Sequence, residues 1–433
     1  MNYQETIAYL YSVAPLFQQV GGKAYKEGLE NTRTLDAHFG HPHKAYRTIH
    51  VAGTNGKGSC SHTLAAILQE AGYRVGLYTS PHLVDFRERI RINGVPMPEA
   101  CLVRFVEKER TFFEPLYPSF FELTTALAFR YFADEEIDVA VIEVGLGGRL
   151  DCTNIIRPEV SIITNISFDH TQFLGNTLAK IAAEKAGIIK TGIPVVIGET
   201  TEETRPVFAA KAKEEKAPIV FAEEEQRLAG AEMNEDGYWA YRNKDYPDLR
   251  GELGGLCQLK NTNTLLSAMP LLKAAGFHIT EKDVRNGFAQ VCELTGLMGR
   301  WQKLQSHPTL MCDTGHNVGG MAYICEQLRR QTYRKLHIVI GMVNDKDIRG
   351  VLALLPKEAE YYFTKANVKR ALPEEELEKL AVASGLKGKC YPDVPAAVRA
   401  AQEKSLPEDF IFVGGSSFIV ADLLTNRDAL HLD

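Results

Sequence analysis

No run of apolar residues in this chain reaches the ~20 residues a helix needs to cross a bilayer. The N-terminus, with Glu5 among scattered polar residues, lacks a signal-peptide layout, so neither a membrane protein nor a secreted one is expected. The cysteines (Cys60, Cys101, Cys152, Cys257, Cys292, Cys312, Cys325 and Cys390) include no C-x-x-C pair. Reduced thiols in a cytoplasmic protein are therefore expected, rather than a disulfide framework or a zinc site. Strong charge is missing as well. A formal net charge of −6 over 433 residues gives no reason to expect nucleic acid or an acidic membrane as partner. There is no internal repeat and no low-complexity tract. What is present, 45% hydrophobic and 24% charged residues, is the composition of a soluble globular chain. Its length exceeds one ordinary core and predicts two domains.

The most informative stretch is Ile49-His50-Val51-Ala52-Gly53-Thr54-Asn55-Gly56-Lys57-Gly58-Ser59. An apolar strand signal runs into a turn rich in glycine, and the periodic run from Cys60 to Ala71 reads as a helix. That order is the context of a phosphate-binding loop. Glycines let the backbone curl so that successive N–H groups point at phosphate oxygens. The helix N-terminus adds partial positive charge, Lys57 adds a full one, and Ser59 offers a hydroxyl to Mg²⁺. Gly58, between lysine and serine, departs from the common P-loop pattern. The segment predicts binding of a nucleoside triphosphate with magnesium.

From Tyr46 onward strand and helix signals alternate. Strands are predicted at 46–51, 74–78, 138–144, 159–166 and 194–197, with helices at 60–71, 99–112, 120–133 and 177–188. Such alternation implies a mostly parallel, doubly wound α/β sheet. Over 217–256 short polar and aromatic runs suggest a small antiparallel insert, followed by a helix from Asn261 to Ala275. The stretch 294–300 reads as an interdomain linker. A second α/β series follows, with strands at 309–312, 337–341, 359–363 and 410–413.

Polar residues gather where open α/β sheets place their ligands, at strand ends. Glu143 closes an apolar run and precedes Gly145, Gly147 and Gly148. Its carboxylate suits a metal or an activated water. His170, after Asp169, lies just past the strand 159–166. With Ser59, these two supply ligands fitting Mg²⁺ beside phosphate, since that ion takes one or two protein carboxylates plus phosphate and water. Lys185 sits on the helix 177–188, where a lysine is normally solvated. In the second series, Asp313-Thr314-Gly315-His316-Asn317 brings an acid, an imidazole and a helix N-terminus together, or else is an Asn317 N-cap with incidental neighbours. Asp345-Lys346-Asp347 reads as an exposed turn, and Arg300 lies on the linker.

The segments Gly53–Ser59, Thr79-Ser80-Pro81-His82, Glu143–Asp151 and Asp169-His170 resemble, in order, the motifs of the folylpolyglutamate synthase/dihydrofolate synthase family of the Mur ligase superfamily. The similarity runs from Gly28-Leu29 to Gly414-Gly415-Ser416. The resemblance implies an N-terminal P-loop ATPase-type domain (1–295), a smaller Rossmann-like glutamate ligase domain (296–433), and an active site in the cleft between them. It implies that Gly53, Thr54, Asn55, Gly56, Lys57, Gly58 and Ser59 hold ATP, and that Ser80, Glu143 and His170 bind Mg²⁺, two ions in all. Lys185 matches a lysine that the family carbamylates. Gln258 and Asn261 match a motif near the adenine, with Cys257 where a histidine is usual. Arg300, Asp313, His316 and Lys346 match residues that contact phosphates or position substrate. Ser80, Pro81, His82 and Asp151 would line the acceptor site. The family's Asp-Gly-Ala-His-Asn-Pro reads Asp-Thr-Gly-His-Asn-Val here, so the loop shape differs.

The implied chemistry is amide formation through an acyl phosphate, with Lys57, the metals and Arg300 spreading charge and His316 as a candidate base. The segment Gly147-Gly148-Arg149-Leu150-Asp151 resembles the bifunctional bacterial version. The expected substrates are therefore dihydropteroate, reduced folates and L-glutamate, handled by a monomer. A Mur-type ligase for another carboxylate is disfavoured, because only about fifty residues precede Gly53, too few for a separate nucleotide-sugar domain. A non-ligase, NTP-driven switch would leave the 313–317 cluster unexplained.

Overall fold

The strand β1 (Arg47–Ala52) is buried along nearly its whole length, which is why its sequence is apolar on both faces rather than alternating. In the computed structural model, which describes residues 1–14, 28–234 and 237–432, β1 lies inside an eight-stranded sheet. The other strands are β2 (Val75–Tyr78), β3 (Ile90–Ile92), β4 (Val95–Pro96), β5 (Val139–Glu143), β6 (Val160–Ile163), β7 (Val195–Ile197) and β8 (Ile219–Phe221). Their order is β4-β3-β2-β5-β1-β6-β7-β8, parallel from β2 to β8. After β5 the chain crosses β1 to build β6 on its far side, so the P-loop strand sits at the point where the winding reverses. Aromatic residues such as Phe113, Phe129 and Phe132 fill one core cluster of this unit. Ile163, Ala182, Ile188 and Phe208 belong to another.

Among the departures from the predicted elements, two concern strands of this part of the chain. The strand Ile219–Phe221 belongs to the large parallel sheet. The antiparallel insert begins only with β9 (Leu228–Met233), which pairs with β10 (Trp239–Asn243), itself paired with β11 (Leu249–Gly251). The hairpin β3–β4 is unpredicted, although Asn93-Gly94, with φ of 46° and 76°, supplies the positive dihedrals of a tight hairpin turn.

By its internal contacts the chain divides into two compact units: Met1–His82 with Phe86–Glu252 and Gln258–Leu297, and Leu83–Asp85 with Leu253–Cys257 and Met298–Asp433. The second holds a six-stranded sheet of β12 (Gln302–Ser306), β13 (Thr309–Cys312), β14 (Leu336–Ile340), β15 (Glu360–Phe363), β16 (Lys387–Cys390) and β17 (Phe410–Gly414), in the order β12-β13-β17-β14-β15-β16. Alternate residues serve opposite faces: Ile338, Ile340 and Phe412 pack in one cluster, Val339, Ile411 and Val413 in another. All eight cysteines are free thiols. No described helix is long and apolar enough to cross a membrane.

Candidate active site

Four loops leave the carboxyl ends of four neighbouring parallel strands. β2 leads to Ser80, β5 ends on Glu143, β1 runs into Gly53–Ser59, and β6 leads through Thr164 and Asn165 to His170. Because the strands are ordered β2-β5-β1-β6, residues distant in sequence share one sheet edge. The P-loop needs its glycines. A Cβ on Gly53 (φ 147°) would stand 1.8 Å from Thr164 Oγ1, and one on Gly56 (φ 84°) 2.3 Å from Asn261 Oδ1. Gly56 opens the helix Lys57–Glu70 without any side-chain cap, so the first-turn N–H groups have no such partner, the arrangement that receives an anion. Lys57 Nζ donates to the Thr54 carbonyl at 3.2 Å.

Lys185 is not the solvated lysine expected of its helix. It is only 5% exposed, and Nζ donates to the Gly53 carbonyl at 2.9 Å. Burial, and then the charge of Lys57, pull its pKa down to about 7. The helix Leu178–Ala186 reaches this position because Gly148 lets it approach: a Cβ there would lie 2.8 Å from the Glu184 carbonyl and 3.1 Å from Lys185 Cα. Arg149 reinforces the approach, its N–H donating to Glu184 O at 2.8 Å and its guanidinium pairing with the Glu184 carboxylate at 2.8 Å.

Glu143 is buried, and its Oε2 accepts the Ser80 N–H at 3.3 Å. His170 adopts φ 48° ahead of the short helix Thr171–Leu174, and its N–H donates to Asp169 Oδ1 at 2.8 Å. No three acidic, histidine or cysteine side chains among the described residues form a closed metal cage. A buried carboxylate bonded to the Ser80 backbone, with His170 on the loop after β6, fits instead an ion that completes its shell with phosphate and water, as Mg²⁺ does.

Several predicted contacts take a different form. Ser59 is buried, and Oγ accepts Gln258 Nε2 at 3.2 Å, while Asn261 Nδ2 donates to Gln258 Oε1 at 2.8 Å. Gln258 and Asn261 thus meet the P-loop with buried amides, the first at Ser59 and the second beside Gly56. Asp151 offers no open carboxylate. It is 5% exposed and caps the turn Cys152–Ile155, Oδ1 accepting the N–H and hydroxyl of Thr153 and Oδ2 the N–H of Leu146 at 2.8 Å. Burial raises its pKa against those bonds. His82 Nδ1 accepts Arg89 Nε at 2.8 Å, and Pro81 beside it is exposed.

Within the second unit, Asp313 follows β13, Ser416 follows β17 and Lys346 follows β14, again at neighbouring strand ends. Asp313 takes the N–H of Trp301 and of Gly315, each at 2.8 Å. Burial raises its pKa while Arg300 opposes the rise. The Arg300 guanidinium donates to Thr314 Oγ1, so the threonine of the altered loop anchors the arginine. His316 Nδ1 lies 3.0 Å from the Thr314 carbonyl and must donate to it, which leaves Nε2 as the unprotonated nitrogen of the neutral ring. Asn317 caps the helix Val318–Arg329 by accepting Gly320 N–H at 2.8 Å, with no proline required. Lys346 lies in the turn before the helix Ile348–Leu354, whose cap is Asp347, and Asp345 pairs with Arg370 at 2.9 Å.

Thr164, Asn165 and Ser167 were absent from the residues singled out in the sequence, because the predicted strand 159–166 absorbed the first two. Their polarity after an apolar run was the available signal. Residues 51–261 match the Mur ligase middle domain, and residues 299–417 the Mur ligase glutamate ligase domain. The chain is 33% identical over 416 residues to a dihydrofolate synthase/folylpolyglutamate synthase of Bacillus subtilis, covering 92% of this chain and 94% of that one. It belongs to the folylpolyglutamate synthase/dihydrofolate synthase family. Escherichia coli FolC in complex with DHPP and ADP superposes with a TM-score of 0.85 at 31% identity, covering 100% of this chain and 99% of the other. A bifunctional folylpolyglutamate synthase/dihydrofolate synthase with Mn, AMPPNP and L-glutamate bound does so with a TM-score of 0.81 at 30% identity, covering 100% and 98%. Family membership makes this chain an ATP-dependent ligase and sets aside the non-ligase switch.

Proposed function

We propose that this family member adds L-glutamate to dihydropteroate and to the glutamate tail of reduced folates, as a cytoplasmic monomer. The observation that carries the reading is the convergence of Gly53–Ser59, Ser80, Glu143 and His170 at adjoining strand ends, in a chain its bifunctional relatives match over nearly its whole length. Free thiols at all eight cysteines suit a reducing compartment.

A carboxylate is a poor acylating agent because its leaving group would be oxide. In the first step an acceptor carboxylate oxygen attacks the γ-phosphorus, the bond to the β-phosphate oxygen breaks, and ADP leaves an acyl phosphate. Lys57 and the first-turn N–H groups spread the transferred charge. Ser80, Glu143 and His170 would hold Mg²⁺, which supplies charge neutralisation on the phosphates. The buried Ser59 hydroxyl is better suited to bracing the loop. In the second step the glutamate amine attacks the acyl carbon, the carbon–oxygen bond to phosphate breaks, and a proton leaves the nitrogen. His316, whose Nδ1 donates to the Thr314 carbonyl, is the candidate for the base that takes it.

Lys185 carries a carbamate in this reading. An amine held near neutrality by burial and by Lys57 adds to carbon dioxide and releases a proton, turning like-charge repulsion into attraction and adding an anionic ligand for a second Mg²⁺. The test is purified protein with ATP, Mg²⁺ and labelled glutamate, comparing dihydropteroate with a reduced folate. Both amides should form. Formation of neither rejects the reading, and formation of one alone makes the enzyme monofunctional.

A further inference from the structure

The loop that takes the nucleotide is shaped by a segment more than a hundred residues away. Thr164 Oγ1 donates to the Asn55 carbonyl at 2.5 Å, and the Asn165 carbonyl accepts the Thr54 N–H at 2.9 Å. Asn165 Oδ1 accepts the Asn55 N–H at 3.0 Å, and Ser167 exchanges bonds with the Thr54 hydroxyl at 3.1 and 3.2 Å. The amide of Asn165 has only one satisfying orientation. Asn55 N–H can only donate, and Glu199, 3.4 Å from Nδ2, can only accept while ionised. Glu199 in turn faces Lys260 at 3.8 Å, on the helix that carries Gln258 and Asn261.

We propose that Thr164 and Asn165 are positioning residues for ATP, clamping Thr54 and Asn55 so that the phosphates are received by the N–H groups of Gly56, Lys57, Gly58 and Ser59. The N–H groups of Thr54 and Asn55 are spent on the clamp and are not phosphate donors. This narrows the general expectation that successive N–H groups of the loop all face phosphate. It also explains why Gly53 tolerates no side chain, since Thr164 Oγ1 occupies that space. The proposal rests on the ATP-binding reading above.

The experiment compares wild type with Asn165→Ala, Thr164→Val, Asn165→Asp and Asn165→Asp/Glu199→Gln. It reads MgADP affinity by calorimetry, KM for ATP, kcat, and melting without nucleotide. Asn165→Ala should raise the KM for ATP and weaken MgADP about ten-fold, with kcat at saturating ATP and nucleotide-free melting little changed. Thr164→Val should do the same to a smaller degree. Asn165→Asp keeps the acceptor for Asn55 but sets a carboxylate against Glu199. It should be as impaired as the alanine variant, and Glu199→Gln should restore it. Wild-type MgADP affinity in Asn165→Ala and Thr164→Val overturns the clamp, as does a fall in kcat at unchanged KM. Lowered melting with unchanged affinity shows a purely structural role and overturns it too. Should wild type itself fail to bind MgADP, the ATP-binding reading fails first and takes the clamp with it.

Discussion

Lys57 and Lys185 bring two amines to one short loop, one bonded to the Thr54 carbonyl and the other to that of Gly53. Lys57→Ala should remove most turnover without loss of fold, because its amine bonds to loop backbone at the Thr54 carbonyl; a circular dichroism spectrum beside kinetics decides, and a near-normal kcat would exclude a phosphate role. Lys185 has a pH signature. Its pKa falls from 10.5 to about 7 on folding. Between those values the unfolded chain holds a proton that the folded one has released, so this residue makes stability rise with pH across that window. Below about 7 the folded protein bears the full cost of a buried ammonium. In buffer free of carbon dioxide, Lys185→Met should therefore be more stable than wild type at pH 6, with the advantage shrinking by pH 9 in urea unfolding. For activity, Lys185→Ala should be nearly inactive and partly restored by acetate filling the vacated anionic place. Wild-type protein prepared without carbon dioxide should recover on adding bicarbonate. Asp151 closes the residue scale. Because it holds Thr153 and Leu146 rather than open space, Asp151→Ala should cost about 1.5–3 kcal/mol of stability and impair dihydropteroate and reduced folate equally. A selective loss for dihydropteroate would restore the substrate role first expected of it.

At the scale of elements, the glycine-rich stretch after β5 is a packing device. Gly148→Ala would drive a methyl group into the backbone at Glu184 and Lys185 and push the helix Leu178–Ala186 off the P-loop. It should cut kcat sharply and expose Lys185, which faster modification of that lysine by an amine reagent would report; an unchanged labelling rate would refute it. The same elements show what a sequence reading reaches. β1, β2, β5, β6 and β7 were legible because parallel strands buried on both faces are unbroken apolar runs. The hairpin β3–β4 was not, because strands of three and two residues interrupted by Arg91 give no periodicity; only Asn93-Gly94 marked it. Ile219–Phe221 was drawn into the insert because a three-residue edge strand has too few residues to declare its partner. Glu143, His170 and the P-loop were recognisable from their places after strands. The burial of Lys185 was not, since helical periodicity says which face a residue shares but not what that face meets. The bonds that Asp151 and Asn261 make were not legible, because hydrogen-bond direction is a property of the folded loop.

For the whole molecule, ligand binding at four strand ends at once should be visible in stability. Saturating MgADP, at about 100 times its Kd, should stabilise the native state by about 2.7 kcal/mol and raise the melting midpoint, and Lys57→Ala should abolish the shift. No shift in the wild-type protein would count against nucleotide binding. Eight free thiols with no disulfide predict the same midpoint with and without reductant.

The order in which this molecule leaves the ribosome has a consequence of its own. Asn55 emerges 110 residues before Asn165, the residue that holds it in shape. The nucleotide loop is therefore synthesised early and formed late. A nascent chain that has not reached β6 carries the lysine and glycines of the loop but lacks their restraint. Half-made enzyme should leave the cell's ATP alone, and ATP binding becomes a report that the central sheet has closed.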